Sequence, residues 1–486
     1  MDDHAIIPSS TNYPHAGRDN HNETFGPWVQ KIGLSLGGIR GYWSLLVLGE
    51  LMKLIKVEEE NRDGPTRSSF HPYDEPRNVF RTSQALETPF LPCHYFDYVA
   101  GTSTGALITI LLSRFRMTVD DCLREYEAMA SSVFGHPKLL YSMKFGVGGN
   151  KFRRASLEQA IKKVIERRAE QRTEDYSEFL FQTEIDTCRG VVLAMRVGDR
   201  QTNSQPFLFR SYTPFNERSG QHRARHTGEP KNHLEGSKIS LAKVALAATA
   251  APLYFGDYRC TLSAAQMQAS KRVPTTLGTT ISSTQRHASS RISTARGVMT
   301  SSTKRNDMMP ADGKAEYEFE DAGFGAVNNP CSELAREIMH HHGQIEPILR
   351  LDTVGRYFRF NDEQGIDIEM DDWRPKNSGK QTLEALGNGF REWVLRAEVR
   401  KDLMDCAKTL VDYRRARMTT PRWERFALVR SFECRVNMCP KDRDNKWLDR
   451  EDFKNHLARD HKPEDYKGTT IDEAVERCAR EWEYRA

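Results

Sequence analysis

The order of apolar and polar positions through residue 255 predicts strands and helices joined by glycine turns. The stretch "VQKIGLSLGGIRGYWSLLVLGELMKLIKVEEE" starts as a strand, turns at glycines, and continues with apolar residues at helical spacing. A buried strand, a small-residue turn and a buried helix follow in "FDYVAGTSTGALITILL". Two short segments rich in β-forming residues, "RGVVLAMRVGD" and "QPFLFRSYTPF", predict further strands. The stretch "LAKVALAATAAPLYF" predicts a small-residue helix that enters a strand.

Other segments break this pattern. Residues 1–28 are polar and rich in Asn, His and Pro, which predicts a flexible tail. Residues 263–315 are rich in Ser, Thr and Arg with almost no aliphatic periodicity, so we expect a disordered insertion. Order is predicted to return at "AEYEFEDAGFGAVNNP", and residues 376–486 are charged and mainly helical in pattern, with a Cys/His cluster at 434–461.

Composition narrows the functional classes. The 486 residues are enough for two or three domains, and 71 Lys+Arg against 67 Asp+Glu give a net charge of +4, which carries no strong nucleic-acid signal. The N-terminus has no basic start followed by an apolar core, so we expect no secretory signal. No apolar run approaches the roughly 18–20 residues that span a bilayer, which leaves only peripheral membrane association. Nine scattered cysteines fit a cytoplasmic protein with mostly free thiols.

The first candidate for chemistry is Ser103 in Gly101-Thr102-Ser103-Thr104-Gly105, which fits G-x-S-x-G. A serine at a sharp strand-to-helix turn is exposed in strained geometry, and the flanking glycines remove side chains that would clash. The N–H of Thr104 would be available as an oxyanion donor. The alternative is a tight turn in which Ser103 only caps the helix.

A serine nucleophile needs a base. The later histidines lie in no glycine-flanked turn, and the run at 340–342 is typical of a solvated helix end. In "FEDAGFGAVNNP", Asp321 ends a β-type stretch and begins a Gly/Asn-rich loop, where a carboxylate can reach a site; the alternative is a turn aspartate. Asp312 in "PADGK" is a weaker candidate because it belongs to the polar insertion.

A glycine loop, Gly37-Gly38-Ile39-Arg40-Gly41, follows a predicted strand and opens a helix, so its bare N–H groups can converge on an anion. A dinucleotide-binding loop is the rival interpretation. The spacing is not G-x-G-x-x-G and no acidic residue follows at the proper distance, which favours oxyanion or phosphate binding.

These stretches together resemble the patatin-like phospholipase family, particularly its fungal members. "LSLGGIRGY" resembles the family's glycine-rich oxyanion loop, and "FDYVAGTSTGALI" is similar to its nucleophile elbow. "ALAATAAPLYF" resembles an Ala-rich helix-to-strand segment of the family, and "FEDAGFGAVNNP" its Asp-Gly-Gly/Ala loop. The resemblance implies a patatin-like three-layer α/β/α domain over residues 29–375, with a central, mostly parallel sheet and a mainly helical C-terminal extension.

The resemblance also implies a Ser–Asp dyad that works without a catalytic histidine. In that dyad Ser103 is the nucleophile and Asp321 the general base. The elbow around Ser103 is formed by Gly101, Thr104 and Gly105. The implied oxyanion loop consists of Gly37, Gly38, Ile39, Arg40 and Gly41. Its backbone N–H groups would hold the oxyanion, and Arg40 would offset negative charge.

The implied activity is that of a lipid acyl hydrolase of the phospholipase A or lysophospholipase type, acting on membrane lipid or lysolipid without a catalytic cofactor. One departure of this sequence from the family pattern motivates an alternative function. The family's loop usually reads Asp-Gly-Gly-Gly-Ile-Arg-Gly, whereas "SLGGIRG" lacks the Asp and one Gly, and losing one oxyanion donor can cost about two to three powers of ten in rate. The alternative is a catalytically impaired patatin-fold module that binds lipid or protein; a third interpretation is a zinc-finger regulator with a vestigial hydrolase domain.

The C-terminal cluster consists of Cys434-x4-Cys439 and, sixteen residues later, His456-x4-His461. Trp447 and Phe453 precede His456 at the spacing that forms the core of a two-Cys/two-His finger. Two thiolates and two imidazoles suit tetrahedral Zn²⁺, although the Cys-to-His gap is longer than usual. The alternative is a helical tail with unliganded Cys and His. A single finger favours a structural role or a protein contact over DNA binding.

Overall fold

The computed structural model describes the following residues: 26–37, 41–70, 89–137, 150–168, 179–198, 204–212, 238–263, 314–324, 327–342, 357–362, 368, 372–436, 439, 446–466 and 470–480. Almost all of the predicted tail and of the predicted insertion therefore lies outside the described residues. Trp28, the last residue assigned to the tail, is buried against Phe426, with ring centroids 5.1 Å apart.

Six strands form one mixed sheet in the order β1-β2-β3-β6-β5, and β4 also pairs with β3. The strands are β1 Gly33–Leu36, β2 Tyr98–Thr102, β3 Arg189–Arg196, β4 Gln205–Arg210, β5 Tyr258–Ser263 and β6 Lys314–Glu320. β1, β2 and β3 are parallel, β4 and β6 run antiparallel to β3, and β5 runs antiparallel to β6. Most strands therefore point the same way, which confirms the prediction of a mostly parallel sheet.

The helices in the described part of the chain are α1 Gly41–Asp63, α2 Thr104–Ser113, α3 Val119–Phe134, α4 Arg154–Arg168, α5 Leu241–Ala248, α6 Cys331–His342, α7 Lys380–Val394, α8 Ala397–Met418, α9 Arg422–Leu428, α10 Arg450–Asp460 and α11 Ile471–Cys478. Three short strands, β7 Ser431–Glu433, β8 Lys446–Trp447 and β9 Ala479–Arg480, form a separate sheet. The C-terminal region is mainly helical, as predicted.

Both faces of the large sheet are buried. Because neighbouring strand residues point to opposite faces, Val99 and Val192 pack into the core that α1 and α2 share. Tyr98 and Val191 pack into a second core with Leu334 of α6. Helices on both faces make the domain a three-layer α/β/α fold.

Helix α8 is tied to this domain by buried ion pairs. Arg414 Nε lies 2.6 Å from Glu59 Oε1 on α1, and both side chains are fully buried. Arg417 lies 2.8 Å from Asp97 Oδ2, which also accepts the N–H of Ile32 at 2.8 Å. Burial would raise the pKa of Asp97, but the charge of Arg417 and other favourable contacts outweigh it and hold the pKa below its ordinary value.

Replacing Arg417 with Met is expected to destabilise the protein by about 3–5 kcal/mol, because Asp97 would stay buried without its partner. Lys401→Met on the same helix is the control: Lys401 is 74% exposed, and its loss should change stability by no more than about 0.5 kcal/mol. Since the pKa of Asp97 is lowered on folding, its contribution is present above the unfolded pKa and lost as the pH falls, so the deficit of Arg417→Met should shrink in acid. Urea unfolding at two pH values measures this; equal effects of the two variants would contradict it.

Candidate active site

Ser103 occupies the turn between β2, which ends at Thr102, and α2, which begins at Thr104. Its backbone has φ 54° and ψ −127°, a conformation that costs a non-glycine residue on the order of 1–3 kcal/mol. The side chain is 7% exposed. The predicted strand, sharp turn and helix are all present, and the strain is of the kind expected when a turn presents a serine to a site.

The glycines on either side of Ser103 are required by close backbone contacts. A Cβ on Gly101 would lie 2.1 Å from the carbonyl oxygen of Gly105, and a Cβ on Gly105 would lie 2.4 Å from the carbonyl oxygen of Leu36. The elbow therefore packs without a gap against the end of β1.

Asp321 directly follows β6 and is 2% exposed. Its N–H donates to the carbonyl of Ala250 at 3.0 Å, and its Oδ1 accepts the N–H of Gly323 at 2.8 Å. These contacts fix the carboxyl group at the end of the strand, as the predicted β-stretch and loop require.

Burial raises the pKa of Asp321 to about 6, although the neighbouring Ser103 hydroxyl and the N–H of Gly323 act in the opposite direction. Oδ2 of Asp321 has no regular hydrogen bond within the described part of the chain. The Ser103 hydroxyl is a hydrogen-bonding neighbour of this carboxyl group and lowers its pKa. A buried carboxyl group with a raised pKa and an unused oxygen is suited to accept a proton.

Ser103 and Asp321 line the same pocket, which has a volume of about 700 Å³ including its open mouth. The rest of its wall is mostly apolar and includes Leu107, Met129, Val133, Phe134, Leu157 and Phe255. No histidine is among the described residues that line it. Sequence reasoning missed the α3 side chains, because amphipathic spacing shows that a helix has an apolar face but not that part of this face borders a cavity.

The predicted glycine loop is described only at its two ends. A Cβ on Gly37 would lie 3.3 Å from the carbonyl oxygen of Asn328, and one on Gly41 would lie 2.9 Å from Thr104 Oγ1. Both ends thus border residues of the elbow or of the loop after Asp321. Gly38, Ile39 and Arg40 lie outside the described residues, and so does Asp312.

The predicted solvated end of the 340–342 histidine run is wrong at His341. This side chain is 8% exposed and packs against Tyr212, with ring centroids 4.9 Å apart. The cause is that α6 covers the second face of the sheet, so a residue at the helix end still contacts Tyr212, two residues beyond the end of β4.

The C-terminal cluster is brought together by the fold. One ligand atom from each of four side chains lies within 4.8 Å of the others, and these side chains are Cys434, Cys439, His456 and His461.

A serine held at positive φ between a strand and a helix, beside a buried carboxyl group and an apolar pocket, has the form of the nucleophile site in α/β serine hydrolases. Residues 34–273 match the family model of patatin-like phospholipases, so this part of the chain is a patatin-like phospholipase domain. That family consists of lipid hydrolases. The predicted family resemblance is confirmed over residues 34–273, which contain three of the four motifs, whereas the stretch with Asp321 lies beyond the match.

The chain is also similar to calcium-independent phospholipase A2-gamma. It is 25% identical to the Rattus norvegicus protein over 169 residues and 26% identical to the Homo sapiens protein over the same length. This segment is 34% of the chain and 19% of each relative, so the chain matches about a fifth of their length. In the described residues, no helix combines the length and apolar character needed to cross a membrane.

Proposed function

We propose that the protein hydrolyses fatty-acyl esters of lipids through a Ser103–Asp321 dyad. The observation that carries the proposal is the placement of both side chains on one apolar pocket, with the serine in a strained elbow. The Asp321 carboxylate takes the proton of the Ser103 hydroxyl while Oγ attacks the ester carbonyl. The alcohol leaves with a proton returned by Asp321. Water then attacks the acyl-serine while Asp321 takes its proton, and Asp321 returns that proton to Ser103 Oγ as the fatty acid is released.

The tetrahedral anion formed in each step requires hydrogen-bond donors. We assign this role to the backbone N–H groups of Gly37, Gly38 and Ile39, and to that of Thr104 at the start of α2. Arg40 would offset substrate or oxyanion charge. No step requires a metal or an organic cofactor.

The apolar pocket favours a fatty-acyl chain, because almost all of its lining beyond the two reacting side chains is aliphatic or aromatic. The relatives are calcium-independent phospholipases A2 by name, which supports activity of the phospholipase A or lysophospholipase type. We infer that the protein is cytoplasmic and acts on membrane lipid or lysolipid at the bilayer surface. We also infer that a protein partner would bind to its C-terminal region.

The test uses the full chain, mixed phospholipid vesicles and a fluorophosphonate probe. We expect release of free fatty acid that the probe blocks, with the probe attached to the peptide that contains Ser103. Lipid binding without fatty-acid release or label would instead favour the catalytically impaired binding module.

The acid limb of the pH profile is expected to report Asp321. The carboxyl group must be ionised to act as base, and its pKa is raised to about 6, so kcat/KM should fall about tenfold per unit below that pH. Initial rates on a water-soluble ester over roughly pH 4 to 8 measure the midpoint. A midpoint near the ordinary value of an exposed aspartate would contradict the assignment of the buried carboxyl group as base.

A further inference from the structure

The four side chains of the C-terminal cluster have the spacing of a metal tetrahedron. Sγ of Cys434 lies 3.3 Å from Nε2 of His461, and Sγ of Cys439 lies 3.6 Å from Nε2 of His456. The two Nε2 atoms are 3.3 Å apart. Tetrahedral Zn²⁺ with its usual bond lengths places a sulfur and a nitrogen ligand about 3.5 Å apart and two nitrogen ligands about 3.4 Å apart. These three separations match the ideal edges, and all four ligand atoms lie within 4.8 Å of one another.

The second nitrogen of His456 is held by a carboxylate. Nδ1 of His456 lies 2.8 Å from Oδ2 of Asp460, and the ring stacks on Trp447 with centroids 4.1 Å apart. A carboxylate on one imidazole nitrogen fixes the tautomer in which the other nitrogen presents its lone pair to a metal. Such a second partner is a regular feature of metal-binding histidines.

The surrounding module is small. The described residues between 431 and 480 form three short strands and two α-helices, and the large side chains of their buried apolar core are chiefly Phe432, Phe453 and Leu457. A unit of about 50 residues is marginal when it depends on its core alone, and natural domains of this size are often held by a metal. The two cysteines follow β7, and the two histidines lie on α10 and at its end, so a shared ion would join these two parts.

We propose that Cys434, Cys439, His456 and His461 bind one Zn²⁺ in a structural site. Two thiolates and two imidazoles in a tetrahedron are the donor set that favours zinc. The set is complete without water, which is the property of structural rather than catalytic zinc sites. This inference does not depend on ester hydrolysis and can fail or succeed separately from it.

The zinc module is also fastened to the rest of the chain. Arg450, the first residue of α10, donates to both carboxylate oxygens of Glu424 on α9, at 3.0 and 2.6 Å. The main chain of α9 is tied in turn to the hydrolase domain, because the carbonyl of Ala427 accepts from Arg116 at 2.6 Å. A metal that fixes α10 would therefore also hold Arg450 in place against a buried acid.

Metal content of the purified full chain tests the proposal. We expect about one zinc per chain in the wild type, loss of zinc in Cys439→Ser, and wild-type zinc in Cys478→Ser. Cys478 is the matched control because it is buried in the same small core but is not one of the four ligands. A wild type without zinc, or equal zinc in the wild type and Cys439→Ser, would overturn the site.

Two further measurements cover the case in which Cys439→Ser does not fold. Wild-type protein loaded with Co²⁺ should show the visible bands of tetrahedral coordination together with thiolate charge transfer, and a spectrum without them would overturn the ligand set. Asp460→Ala should weaken zinc affinity about 10–100-fold in competition with a chelating dye. Unchanged affinity would overturn the assignment of Nε2 of His456 as a ligand.

Discussion

Replacing Ser103 with Ala is expected to reduce fatty-acid release from phospholipid vesicles by at least about 10⁴-fold, because the proposed acyl intermediate forms on the Ser103 hydroxyl. Asp321→Asn should reduce it by about 10²–10⁴-fold, since the amide cannot accept the serine proton. Asp312→Asn is the matched control, and its rate should stay close to that of the wild type. Retention of activity in Ser103→Ala, or an equal loss in Asp312→Asn, would exclude the proposed dyad.

The free energy of unfolding of Asp321→Asn distinguishes a loss of catalysis from a loss of folded protein. The pKa of Asp321 is raised to about 6 by burial, so the ionised carboxyl group destabilises the fold, and this cost appears as the pH rises from the unfolded pKa through the folded one. Asp321→Asn removes the cost and should be more stable than the wild type at neutral pH by about 2–3 kcal/mol, with the difference vanishing in acid. An inactive but stabilised variant is the result expected for a catalytic carboxylate, and a destabilised one would point to a structural role.

Gly105→Ala is expected to cost about 2–4 kcal/mol of stability and at least about 10²-fold in activity. The new methyl group would lie 2.4 Å from the carbonyl oxygen of Leu36 and 3.1 Å from that of Gly37, so β1 and the start of α2 would have to separate. That movement displaces both the serine elbow and the first residue of the proposed oxyanion loop.

The matched control for this change is Gly387→Ala on α7. There the nearest atom to an added methyl group is Arg391 Nη1 at 3.7 Å, and a helical alanine should stabilise the protein by about 0.5–1 kcal/mol. Urea unfolding and the vesicle assay together measure both variants. If Gly105→Ala were as stable and active as Gly387→Ala, the close packing of the elbow would have no functional role.

The local parts of the site could be predicted from the sequence. Ser103 stands between an apolar strand and an apolar helix, with glycines at the positions where backbone contact leaves no room. Asp321 could be predicted because a β-type stretch ends at it and a turn-forming loop follows. Each of these two predictions uses a short stretch of sequence around one residue. The resemblance to patatin-like phospholipases is what assigned Ser103 and Asp321 to one site.

The remaining features depend on contacts between segments far apart in the chain. The apolar side chains of α3 look the same in sequence whether they meet a neighbouring helix or a cavity. His341 has the sequence context of an exposed helix end, yet packing against Tyr212 buries it. The four side chains of the proposed zinc site could be named from their spacing, whereas their convergence and the contact of His456 with Asp460 required the fold.

The ion pairs of α8 bear on how the protein can be divided for experiments. The match to the family model ends at residue 273, before Asp321 and before Arg414 and Arg417. An expression fragment that stops at residue 375 would contain Glu59 and Asp97 without the guanidinium groups that neutralise them. The smallest unit suitable for crystallisation or assay is therefore one that extends at least through α8, even if residues 431–480 are removed.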